Sequence, residues 1–114
     1  MKLPGGDKAY IDPRKLAGYA LKPDHVEGGP KARVFAAALG LTAADAPILA
    51  EALLRAAATE EATFVGSSSD GDLFRIDFSL SHRSRTAVVR SGWVKPADGR
   101  PTRLTTVFVL KVTS

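Results

Sequence analysis

Near Ala58 the apolar residues change from a helical repeat to strict alternation, and that switch restricts the chain to helices first and sheet second. Over residues 73–80, Phe74, Ile76, Phe78 and Leu80 fall on one side, with Leu73, Arg75, Asp77 and Ser79 on the other. Successive strand side chains point to opposite faces, so one face of this strand is buried and one is free. Further strands are expected at residues 86–94 and 103–111, joined by a loop at 95–101 whose Asp98-Gly99 pair signals a turn. A shorter strand at 62–65 precedes a polar turn at 67–71. The expected fold is α+β: N-terminal helices packed on one face of a roughly four-stranded antiparallel sheet, as a single domain over residues 1–114. The free face carries Arg75, Asp77 and Arg90, joined in one register by Arg103 and Thr105.

Caps and breakers delimit the helices. Asp12-Pro13 opens a short one, with Asp as N-cap and proline at the first helical position, where its missing N–H costs nothing. Leu16, Tyr19 and Ala20 follow at helical spacing. Residues 21–30 read as loop. A second helix runs over 30–39 with an apolar stripe of Val34, Phe35, Ala38 and Leu39, and Gly40 ends it. Thr42 and Asp45 have capping-box spacing ahead of a third helix that turns Ile48, Leu49, Ala52, Leu53 and Ala56 inward. Pro47 lies just inside that helix. Phe35, Leu39, Leu49, Leu53, Phe74, Ile76 and Phe78 are therefore the expected core.

Charge is distributed unevenly. Residues 1–80 hold nine Lys/Arg against eleven Asp/Glu, whereas residues 81–114 hold seven against Asp98 alone. A basic last third on a nearly neutral body suits a polyanion, either nucleic acid or an acidic protein, or else forms a solvated face. The chain has no cysteine and only two histidines, His25 and His82, which leaves no disulfide, no thiolate metal site and no cysteine nucleophile. No apolar run approaches membrane-spanning length, and residues 1–6 lack the apolar stretch of a secretory signal. A cytoplasmic chain without a membrane partner is expected.

Two constellations carry chemistry. In the first, His25 precedes Gly28-Gly29-Pro30-Lys31 at a helix start. Histidine titrates near neutrality and suits proton transfer; the helix N-terminus and Lys31 suit a phosphate. The alternative is a loop stop with a solvated histidine. In the second, guanidinium groups on an exposed sheet face hold a phosphodiester and stabilise charge on its oxygens. Alternatively, Arg75 and Arg90 merely pair with Asp77. Trp93 either stacks a base or fills the core. No phosphate-binding Gly-rich motif is present, and the acidic residues are scattered, so no cofactor is expected.

These pieces together resemble a family of small bacterial proteins catalogued as a domain of unknown function. The matching segments are Leu3-Pro4 with Asp7-Lys8-Ala9, Ile11-Asp12, Lys15-Leu16, and Leu21 with Pro23 and His25. They continue with Lys31-Ala32-Arg33-Val34-Phe35, residues 38–42, Val89-Arg90-Ser91 with Trp93, and Arg103-Leu104-Thr105-Thr106. Family members look like stand-alone proteins or C-terminal modules of toxin-like chains, some beside a small partner gene. The layout is also similar to the fold shared by barnase, EndoU, colicin and RelE ribonucleases. Two positions depart from the family pattern: Gly-Gly-Pro stands before Lys31 where Gly-x-His is common, and Phe108 stands where a tyrosine is common. The basic last third, the His25–Lys31 loop and the toxin-like resemblance together give the first expectation, a metal-independent endoribonuclease toxin acting on RNA with a small antitoxin-like protein as partner. His25 is then the base or acid, Lys31, Arg90 and Arg103 hold the phosphate, and Thr105 or Thr106 orients it. The alternatives are a non-catalytic module binding RNA or an acidic protein, and an immunity-type interaction protein.

Overall fold

The structure, a computed structural model, describes residues 1–113. Its sheet contains β1 (Thr63–Ser68), β2 (Gly71–His82), β3 (Arg85–Lys95) and β4 (Arg103–Val112), in the order β1-β2-β3-β4 with every pair antiparallel. Helices α1 (Gly29–Leu39) and α2 (Ala46–Thr59) and the short helical turns of the N-terminal segment cover one face, giving the expected α+β arrangement. No single helix is long and apolar enough to cross a membrane.

The alternation in β2 sets the faces as its period requires. Phe74, Ile76, Phe78 and Leu80 are buried under the helices, together with Ala87, Val89 and Trp93 of β3 and Leu104 and Val107 of β4. Phe35, Leu39, Leu49 and Leu53 meet them from the helical side with no exposed surface. Each such side chain contributes roughly 1.5–3 kcal/mol on burial. Two stripe residues fall outside. Val34 and Ile48 are 43% and 42% exposed, because the inward faces centre on Ala32, Phe35 and Leu39 in α1 and on Leu49, Leu53 and Ala56 in α2. Trp93 is core, and its indole N–H donates to Ser91 Oγ at 2.9 Å.

Local signals act at the ends. Gly40 closes α1 in the left-handed region at φ 68°. Thr42 and Asp45 form the capping box around a 3-10 turn, Ala43–Asp45, that leads into α2, with Pro47 in the first turn of that helix. Asp12 accepts the backbone N–H of Arg14, and hydrogen bonding to the Arg14 guanidinium draws the Asp12 carboxyl down to about 2. The following turn, Leu16–Ala20, is π-helical and aims Lys15 and Tyr19 toward β4. Strand β1 extends three residues past its expected end, with an irregular register between Phe64 and Gly66. The β2–β3 hairpin turns through Arg83 and Ser84, both at positive φ (51° and 66°), the conformation a two-residue type I′ connection needs.

Candidate functional site

Strand β4 carries a bulge. Thr106 lies opposite Gly92 and Leu104 opposite Trp93, so Thr105 is the extra residue between them. Both threonines consequently crowd one spot: a Cβ built on Gly92 would stand 2.7 Å from Thr106 Oγ1 and 3.0 Å from Thr105 Oγ1. Gly92 does not hold a positive φ. It is needed there for space.

Two hollows flank the bulge and share its threonines. The first, of about 150 Å³, lies between β4 and the helical layer and is lined by Lys15, Tyr19, Lys31, Thr105 and Thr106 over an apolar floor. Lys15 Nζ donates to the Thr105 carbonyl at 3.3 Å. Lys31 Nζ sits 5.1 Å from the centroid of the Phe108 ring, reaching the edge of β4 from the first turn of α1. No carboxylate lines this hollow, and neither lysine forms an ion pair among the described residues. Two lysines with Tyr19 and two threonines around a small concavity suit an anion with several acceptor oxygens.

The second hollow, about 310 Å³, opens on the uncovered sheet face and is walled by Val65, Leu73, Arg75, Arg90, Phe108 and the same two threonines, with Gly92 in its floor. Arg90 stands across from Asp77 on β2 and makes two parallel hydrogen bonds to its carboxylate, both at 2.9 Å. That hydrogen bonding holds the Asp77 carboxyl below the usual carboxylate range and raises Arg90. Arg75, two residues before Asp77, faces Gly92 across the strands.

Of the residues singled out in the sequence, Lys31, Thr105 and Thr106 share the first hollow, and Arg90 shares the threonines from the second. Arg103 is opposite Val94 at the start of β4, where Tyr10 bridges to it, and it lines neither hollow. His25 lies behind Tyr19, with ring centroids 4.6 Å apart. Its Nδ1 accepts the backbone N–H groups of Glu27 and Gly28, both at 3.0 Å. A neutral ring so held carries its hydrogen on Nε2. Gly28 is packed against this loop, since a Cβ there would meet the Tyr19 carbonyl at 2.4 Å. Among the described residues, no three His, Asp or Glu side chains form a set that could hold a metal ion.

Sequence reasoning did not single out Lys15, Tyr19 or Gly92. The i, i+4 spacing of Lys15 and Tyr19 was a usable signal for a shared helical face. Nothing in the sequence marks the β4 bulge that gives Gly92 its role.

Comparison with curated proteins finds no match, and comparison with solved structures finds none either. A family model, described as a domain of unknown function (DUF6883), matches residues 2–111. With nearly its whole length matched, the chain belongs to that family.

Proposed function

We propose that this chain is a toxin-type module that seats an RNA phosphodiester between Lys15 and Lys31 and cleaves it without a metal. One observation carries the reading: Lys15, Lys31, Tyr19, Thr105 and Thr106 line the hollow at the β4 bulge, and among the described residues no carboxylate does. The toxin setting, with a small antitoxin-like partner, rests on the resemblance in sequence.

The non-bridging phosphate oxygens meet the two ammonium groups, which offset the negative charge that grows as phosphorus becomes five-coordinate. Thr105, Thr106 and Tyr19 hydroxyls fix the orientation of the group. RNA supplies its own nucleophile. The 2′-oxygen attacks phosphorus, the bond to the 5′-oxygen breaks, and the products are a 2′,3′-cyclic phosphate and a 5′-hydroxyl. One proton leaves the 2′-hydroxyl and one reaches the departing oxygen. His25 is the proton-transfer group in this scheme. Because two backbone N–H groups occupy Nδ1, Nε2 is a donor as the loop stands, and accepting a proton there requires Nδ1 to release them. Arg90 and Arg103 act outside the phosphate seat, on neighbouring parts of the strand.

That engagement of His25 favours a second reading, a non-catalytic module that binds RNA at the same seat. The two separate in one experiment: labelled RNA incubated with purified protein in EDTA, with cyclic-phosphate ends scored. Cleavage by wild type, reduced about 10²- to 10⁴-fold in His25→Ala with RNA affinity kept within a few-fold, supports the ribonuclease. Binding without cleavage supports the binder. No binding at low salt refutes both.

A further inference from the structure

We infer that the open-face hollow over Gly92 is a nucleobase seat, filled by the base attached to the phosphate held at Lys15 and Lys31. This rests on the proposed phosphate seat and adds what that seat would select: a nucleotide rather than a bare anion.

Three observations carry it. First, the hollows lie on either side of the edge strand β4, where Thr105 and Thr106 line both and Lys31 reaches round to Phe108. A phosphate on one side of the bulge therefore places its own nucleoside within reach of the other side. Second, the hollow is shaped for a flat, largely apolar group. Its floor at Gly92 is backbone overhung by the Thr105 and Thr106 side chains, its walls include Val65, Leu73 and the Phe108 ring, and its volume of about 310 Å³ lies at the lower end of small-molecule sites. Third, the arginines are arranged for stacking. The paired hydrogen bonds from Arg90 to Asp77 hold its guanidinium plane, and Arg75 stands directly across from Gly92. Aromatic rings and guanidinium planes are the surfaces on which unstacked RNA bases rest.

The charges select among occupants. An acidic peptide would have to desolvate its carboxylates against Val65, Leu73 and Phe108 with Arg75 as their one unpaired cation among the described residues, because Arg90 is already bonded to Asp77. A neutral base meets no such cost. Lys31, poised over Phe108 at the boundary of the two hollows, can touch phosphate and ring together.

The test uses the full chain and probes that cannot be cleaved: a 2′-O-methyl dinucleotide, its abasic counterpart, and inorganic phosphate, titrated by NMR at low salt. The dinucleotide is expected to bind at least about 5-fold tighter than the abasic compound, the gain that stacking one base typically gives. The Val65 and Leu73 methyl signals, which belong to the open-face hollow alone, should move with the dinucleotide and not with phosphate. Arg75→Ala, checked for folding by circular dichroism, should erase the difference while leaving abasic affinity within about two-fold. Equal binding of the dinucleotide and abasic compound overturns the base seat and leaves the phosphate seat standing. Equal shifts at Val65 and Leu73 with phosphate alone also overturn it, as does equal competition by an oligoglutamate peptide. No binding of any probe overturns both.

Discussion

Ser91→Ala tests the polar pair buried under the sheet beside the β4 bulge. Ser91 has no exposed surface; its Oγ donates to the Ile76 carbonyl at 3.0 Å and accepts the Trp93 indole N–H at 2.9 Å. Removing the hydroxyl deletes both bonds and strands the indole N–H in a dry core, since Trp93 is also fully buried. A lost hydrogen bond costs about 1 kcal/mol and the unsatisfied buried donor about 1–2 more, so a total near 2–3 kcal/mol is expected. For a chain of this size that lowers Tm by about 8–15 °C. The partner variant separates the two terms. In a Trp93→Phe background no indole N–H remains, and Ser91→Ala should cost only about 1 kcal/mol, giving a coupling of about 1–2 kcal/mol. Urea denaturation of the four proteins, with unchanged m-values, measures it. A Ser91→Ala cost below about 0.5 kcal/mol, or the same cost in both backgrounds, refutes the reasoning.

Replacing Arg83-Ser84 by Asn-Gly should stabilise the protein by about 1 kcal/mol or more, because both residues now hold positive φ without a glycine; thermal melts that show no gain would contradict this. Gly28→Ala should disturb the His25 loop, since its Cβ would meet the Tyr19 carbonyl; unchanged NMR shifts at Tyr19 and His25 would show that the loop absorbs it freely. Asp77 has its carboxyl lowered in the fold by Arg90, so its pairing stabilises above the usual carboxylate range and is lost as pH falls through the depressed value. Wild type should therefore exceed Asp77→Asn in stability at neutral pH and lose that advantage in acid; a pH-independent difference would exclude the pair as its source.

Legibility in the sequence followed the strength of the local signals. The Phe74–Phe78 alternation, the Thr42/Asp45 capping box and Gly40 each have one dominant physical meaning, and the structure realises all three. Val34 and Ile48 were misplaced because a helical stripe read from sequence is wider than the contact that tertiary packing allows. The hairpin at Arg83-Ser84 lacks the usual turn residues, so the long flanking strands impose its conformation. The candidate site was only half legible. Lys31, Thr105 and Thr106 stood out by residue type. Lys15 and Tyr19 have the spacing of a shared helical face, but the π-helical turn that carries them to β4 and the β4 bulge, which depends on pairing with β3, have no sequence signature.

The most direct test of phosphate seating is the salt dependence of single-stranded RNA affinity, followed by fluorescence anisotropy at several ionic strengths. With about four phosphate contacts, the log–log slope should be near −3, and the Lys15→Gln/Lys31→Gln double variant should flatten it by roughly 1.4, two contacts' worth of released counterions. A slope that the double variant leaves unchanged, or RNA affinity that does not respond to salt, would contradict a phosphate held between Lys15 and Lys31.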